Sequence, residues 1–441
     1  MKNINSPSSN DSNGPSTEHR LGIPTNTRWL VFALASFASF LTYFHRYAWG
    51  ATRPYLKVEY NLTDQEMGWL DAAFNLTYAL GQFPGGWAGD VFGPRAIIPV
   101  AMVLWSIVMI GPTLTGRFWG LLGIRLTFGI TQAPCYPSLG KVTKNWFPLK
   151  IRTSLQGVVA SFSGRAGGAV APFIIGTLLM TSVGLTWQAS LFVMASVGVF
   201  YAIGFWFVFR DSPSEHPWTN ANEQNLIEED EVSAKSGAGK IHWTTANVTN
   251  LGLFMAASFC STFADNLFVF YMPQFLVEEK GFTAGQMGIF AGLPIWGGAI
   301  GGMCGGVMND LLIRTTGNRR LARSLVASSG KTMAAVLIAA SLLVGDGRAV
   351  MFVLFFCKFF SDWSQPTWWG TVTDIGGPAS GRVFGIVNTV ASLGGTVAGP
   401  AMGYVLGNFG WNSLFFFVAV MYVLTAVFWG FVNCTRRLFV Q

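Results

Sequence analysis

Four basic residues stand inside apolar segments of the sequence: Arg46 in LTYFHRYAWG, Arg125 in GIRLTFGI, Arg165 in SFSGRAGG and Lys358 in FFCKFFSD. A charge in hydrocarbon is costly unless it faces a partner or a watery cavity, so each is a functional candidate. A guanidinium holds a carboxylate through two parallel hydrogen bonds, which an ammonium cannot do. The chemistry these arginines suit is recognition of an organic acid. Titratable groups lie on apolar segments too: His45 next to Arg46, Asp71 in MGWLDAAF and Asp265 in STFADNLFVFY, with Asp362 one turn after Lys358. A group whose protonation depends on whether an anion is bound would tie that binding to a cation.

The elements that must position these groups follow from composition. Of 441 residues 51% are hydrophobic and 11% charged, against about 25% charged in an average soluble domain. Runs long enough to cross about 30 Å of hydrocarbon fall near 29–51, 67–90, 95–115, 118–140, 152–182, 187–209, 247–275, 283–312, 327–345, 349–374, 381–406 and 411–433. The sequence predicts an all-α membrane protein with the lipid bilayer as its solvent. Twelve spans put both ends on one side, and in that frame 19 Lys and Arg fall on the side of the termini and five, Arg53 and Lys57 among them, on the other. The asymmetry predicts cytoplasmic termini and explains the net charge of +7 by topology, without nucleic acid.

Residues 1–28 read as a disordered tail, 29–209 as one six-helix bundle, 210–246 as a cytoplasmic linker, 247–433 as a second bundle and 434–441 as a short tail. The halves resemble each other: GVVASFSGRAGGAVAPFIIG (157–176) aligns without a gap to GIVNTVASLGGTVAGPAMGY (385–404) as far as Pro172 and Pro400, and Asp90 falls in step with Asp310. Duplicated six-helix units are the architecture of a rocking carrier. The five cysteines show no metal-ligand spacing, and no nucleotide loop or nucleophile, base and acid set is present, so neither a cofactor nor enzymatic chemistry is expected.

GWAGDVFGPR (86–95) resembles the loop signature of the major facilitator superfamily. YFHR (43–46), AAFNLTYALGQFPGGWAGD (72–90), RLTFGITQAPCYPSLGKVTKNWFP (125–148), YMPQFLVEEKGF (271–282) and GIVNTVASLGGTVAGP (385–400) together resemble the anion:cation symporter family. The resemblance implies two pseudo-symmetric six-helix bundles in the inner or plasma membrane, a monomer, and transport of an organic carboxylate such as a hexuronate or aldonate with a proton. It implies that Arg46 anchors the carboxylate, with snorkelling to the interface as the alternative, and that Arg125 begins the R-x-x-x-G pattern of the fourth span. It places Tyr43, Tyr78, Gln82, Gln132 and Asn388 on spans lining the substrate cavity, where Asn75 and Tyr271 also fall, and gives Asp90, with Arg95 and Asp310, a gating role. Arg165 stays open between substrate contact and a structural ion pair. Lys358 and Asp362 are expected to form an internal salt bridge.

The sequence departs from the family pattern at two places. His45 stands where an aspartate usually precedes the first-span arginine, and Gln132 where a glutamate usually precedes the fourth-span proline. His45 with Asp71 or Asp265 is then the expected coupling set, the alternative being that the two acids only neutralise buried arginines. Coupling to sodium, anion exchange and, from another class, a non-transporting sensor or scaffold remain competing readings.

Overall fold

A computed structural model describes residues 24–228, 240–241, 244–377 and 380–440. The expected disordered tail up to residue 23 and the acidic run of the linker lie outside the described residues. The first bundle comprises α1 (Thr27–Glu59), α2 (Asp64–Phe92), α3 (Pro94–Met109), α4 (Phe118–Gln132, continued as Cys135–Trp146), α5 (Leu155–Ser182) and α6 (Trp187–Val208). The second comprises α7 (Thr245–Glu279), α8 (Ala284–Thr316), α9 (Arg319–Leu343), α10 (Gly347–Trp363, continued as Gln365–Gly376) and the helical stretch Ser380–Phe431. Gly410, at φ 78°, divides that stretch into α11 (380–409) and α12 (411–431); only glycine turns the chain there without strain. Among the described residues eight segments are long and apolar enough to cross a membrane, the stretch that holds α11 and α12 counting as one. The breaks after Gln132 and Trp363, and the polar residues of α2, keep α2, α4 and α10 out of that set.

Caps fix the helix ends. Thr63 and Glu66 form a reciprocal box at the start of α2, and Thr283 with Gln286 does the same at α8, each satisfying amides that have no partner within the helix. Two caps come from the linker. Glu223, fully buried on the short helix Ala221–Glu228, accepts from the backbone N–H of Thr27 and Arg28 at the start of α1. Asp211 accepts from the N–H of Arg95 at the start of α3 (2.9 Å). A carboxylate at a helix N-terminus is favourable both as acceptor and against the helix dipole. The linker is thus fastened to the first bundle. Beyond the helices, Lys240–Ile241 pairs antiparallel with Phe439–Val440.

The internal repeat is visible in the packing. α5 lies on α1 and crosses to α8, while α11 lies on α7 and crosses to α2. The α2–α11 crossing is closest at Gly68 and Gly399, where a Cβ on either residue would collide with the carbonyl oxygen of the other. Small residues permit such backbone contact between helices. Contacts between bundles run along α2 from Asp64, at the end bearing the 59–64 turn, down to Gln82. At the opposite end Phe83 and Trp87 of α2 are 87% and 63% exposed. The aligned glycines Gly157 and Gly385 there meet nothing within 4 Å. The bundles close at one end and part at the other.

Candidate functional site

Arg46 lies in the middle of α1, partly buried. Its Nε and Nη2 both donate to Oε1 of Gln132, at 3.0 and 2.9 Å. Gln132 is held for this task, since its Nε2 donates to the Thr42 carbonyl (2.9 Å). The guanidinium carbon sits 4.9, 5.0 and 4.4 Å from the ring centres of Tyr43, Phe74 and Tyr78. Aromatic faces stabilise a cation without neutralising it. Among the described residues no carboxylate lies within 4.0 Å of Arg46. Gln132, expected to touch substrate, is fully enclosed with both ends of its amide engaged; it stands behind Arg46 instead.

His45 is adjacent to Arg46 in sequence but faces elsewhere, because successive helix residues point about 100° apart. Its Nδ1 accepts from the Trp105 indole N–H (2.9 Å), which leaves the proton on Nε2 to donate to the Met194 carbonyl (3.0 Å). The ring is 1% exposed. Both nitrogens are committed to the neutral form, so the geometry counts against the expected cation-coupling role of His45.

Asp71 is fully buried between two arginines. It pairs with Arg53, accepts from the Trp49 indole (2.8 Å) and lies 4.0 Å from Arg125. Arg125 donates through Nε to the Leu70 carbonyl (3.2 Å) and lies under the rings of Trp49 and Phe74. Arg53, expected in a loop, is fully buried in α1, which runs eight residues past the predicted span to Glu59. It also reaches the second bundle: its Nε donates to Gln274 (2.8 Å) and its guanidinium covers the Tyr271 ring at 4.1 Å. Around it Lys57 joins Asp64 (2.7 Å) to Glu278 (3.1 Å). These contacts seal the closed end.

A second cluster occupies the other bundle. Lys358 bridges Asp265 and Asp362, each at 2.8 Å, so the expected Lys358–Asp362 pair is present and larger than expected. Oδ1 of Asp265 also accepts from Tyr422 (3.0 Å) and Ser361 (3.3 Å). Lys331 is 1% exposed and donates to Ser261 and Ser361, both at 2.8 Å. Arg165 of α5 crosses from the first bundle to Asp362, Nε to Oδ2, at 2.9 Å. α5 has π-type turns at Val158–Ser163, just before Arg165, and α7 has them at Leu267–Tyr271, just after Asp265. Such bulges re-aim side chains and are frequent at functional sites.

The remaining expected residues bridge the bundles or stay within one. Asn388 donates to Gln82 (3.2 Å) and Asn75 to Asn266 (3.1 Å), both across the interface. Asp90 pairs with Lys141 of its own bundle (3.6 Å). The Arg95 guanidinium lies over Trp206, and Asp310 accepts from Asn309.

Comparison with known proteins bears on this arrangement. The family model of the Major Facilitator Superfamily matches residues 35–399, and again 254–437. A probable sulfoacetate transporter of Cupriavidus necator is 26% identical, over 89% of this chain and 90% of that one. A hexuronate transporter of Bacillus subtilis is 28% identical (87% and 89%), and a probable galactarate/D-glucarate transporter of Escherichia coli 26% (92% and 95%). In fold the chain is similar to a bacterial homolog of the human lysosomal transporter Spinster (TM-score 0.73, 16% identity, 92% of this chain and 97% of that one). It is also similar to the xylose transporter of E. coli (TM-score 0.69, 15% identity, 91% and 95%). The twelve helices, the two bundles related by the internal repeat and the match over most of the chain agree: this protein belongs to the major facilitator superfamily.

Proposed function

We propose that this protein is a secondary carrier that moves an organic acid by alternating access, with a cation, between its two bundles. The single observation that carries the reading is Arg46, a partly buried guanidinium ringed by aromatic faces, steadied by a neutral amide and, among the described residues, facing no carboxylate. An unpaired buried charge is expensive; a substrate carboxylate supplies the missing partner. The three sequence relatives are named as sulfoacetate, hexuronate and galactarate/D-glucarate transporters, the first and third as probable, which supports the same reading. On the positive-inside count the closed end faces outward and the termini lie in the cytoplasm.

Asp265 is the acid best placed for proton coupling. It is 20% exposed, whereas Asp71 and Asp362 are fully enclosed. Its hydrogen bonds all fall on Oδ1, leaving Oδ2 to take a proton. Protonation of Asp265 would loosen Lys358 and, through Asp362, the crossing to Arg165. Anion exchange is the second reading, favoured by the fact that each of the three acids in the membrane interior already has a basic partner. Proteoliposome uptake of labelled sugar acids tests both. Accumulation driven by an inward proton gradient supports symport, and uptake that requires only internal anion supports exchange.

A further inference from the structure

Arg46 and Arg165 both lie close to Tyr43. The Arg46 guanidinium is 4.9 Å from that ring, and Gly164, the residue before Arg165, packs against the edge of the same ring. Among the described residues, the layer around them holds four basic groups, Arg46, Arg165, Lys331 and Lys358, against two carboxylates, Asp265 and Asp362. His45 is held neutral. The layer nearer the closed end, with Arg53, Arg125 and Asp71, adds one more positive charge, enclosed by aromatic rings.

The layer around Tyr43 therefore carries two positive charges in excess, and a monoanion on Arg46 compensates one of them. The Arg165–Asp362 link is also the one most easily exchanged. Asp362 keeps Lys358 when Arg165 leaves, and Arg165 is 18% exposed while Asp362 is fully covered. An incoming anion thus reaches the arginine and not the aspartate.

We infer that the substrate is a dianion, an organic acid with a carboxylate at one end and a second oxyanion, carboxylate or sulfonate, at the other, which replaces Asp362 on Arg165 while its first end holds Arg46. The inference rests on the carrier reading above and narrows it. Because Arg165 and Asp362 belong to different bundles, only the two-headed ligand both fills the cavity and opens that crossing.

The test measures binding to the full-length protein in lipid nanodiscs by intrinsic tryptophan fluorescence. Galactarate is compared with galacturonate, and sulfoacetate with glycolate. The dianion of at least one pair is expected to bind about tenfold tighter or more. Arg165→Gln is expected to remove that preference, lowering dianion affinity about tenfold more than monoanion affinity. Arg165→Lys, which keeps the charge should the glutamine variant not fold, is expected to retain part of it. Monoanions binding as tightly as dianions, or an Arg165→Gln protein that loses both equally, would overturn the dianion inference and leave the carrier reading intact. Binding of none of the four ligands overturns both.

Discussion

Nε of Arg165, on the fifth helix of the first bundle, lies 2.9 Å from Oδ2 of Asp362, on the fourth helix of the second. This ion pair joins the two bundles close to Tyr43, whose ring also faces the Arg46 guanidinium at 4.9 Å. On the proposed function, ligand recognition and bundle contact share a layer of charge.

Removing Arg46 should remove substrate affinity. Hydrogen bonds to a charged group are worth roughly 1.5–3 kcal/mol, so Arg46→Gln is expected to weaken organic-anion binding about ten- to hundredfold, with folding yield maintained. Arg46→Lys should not restore it, because an ammonium cannot match a carboxylate in a planar fork. Binding titrations on purified variants measure both.

Asp265→Asn should separate transport from its driving force. Exchange of internal for external anion is expected to continue, while accumulation under a proton gradient disappears. Paired counterflow and gradient-driven uptake in proteoliposomes give the comparison.

Asp71→Asn is expected to act on stability. It leaves Arg53 and Arg125 without their shared carboxylate, and breaking a buried pair by removing one partner costs about 3–5 kcal/mol. Thermal unfolding should show the loss, whereas the pH dependence of uptake by the surviving protein should match that of the parent.

The Gly68–Gly399 crossing should govern closure. Gly68→Val places methyl groups against the Gly399 carbonyl and holds that end apart. Transport should fall while a reporter cysteine at Glu278 becomes reactive to a membrane-impermeant thiol reagent from outside.

The linker should confer acid sensitivity. His216 packs between Trp146 and Trp218, with Nδ1 accepting from the Trp218 N–H and Nε2 donating to the Val208 carbonyl. Burial holds its pKa below the ordinary 6.5; the bond to Val208 and Glu223 oppose that shift, and Arg210 adds to it. The folded state thus prefers the neutral ring, so the unfolded state binds more protons. The His216 contribution to stability is full above about pH 6.5 and is lost as pH falls through the depressed folded value. Melting temperature between about pH 7.5 and 5 should fall less in His216→Gln than in the parent.

The architecture was legible because hydrocarbon imposes it: apolar runs, the basic asymmetry of the loops and the glycine-rich repeat all survive in the sequence. Arg46 and Arg165 were visible as charges in apolar surroundings. Arg53 was not, because the apolar run ends near residue 51, yet α1 continues through Pro54 to Glu59. Its position seven residues after Arg46, two turns along the same face, was the available signal. Lys331 was hidden by the basic cluster just before it, although fourteen residues without a charge follow it. His45 misled for the opposite reason, since adjacency in sequence is divergence on a helix. Pairing across bundles, as between Arg165 and Asp362, depends on tertiary placement that no local pattern encodes.

The most direct test of the account is uptake of labelled galactarate and galacturonate into proteoliposomes by the parent protein and by Arg46→Gln at equal reconstitution. Saturable organic-acid uptake by the parent and its loss in the variant are expected. Undiminished uptake by Arg46→Gln, or no uptake of any organic acid by the parent, would contradict the account.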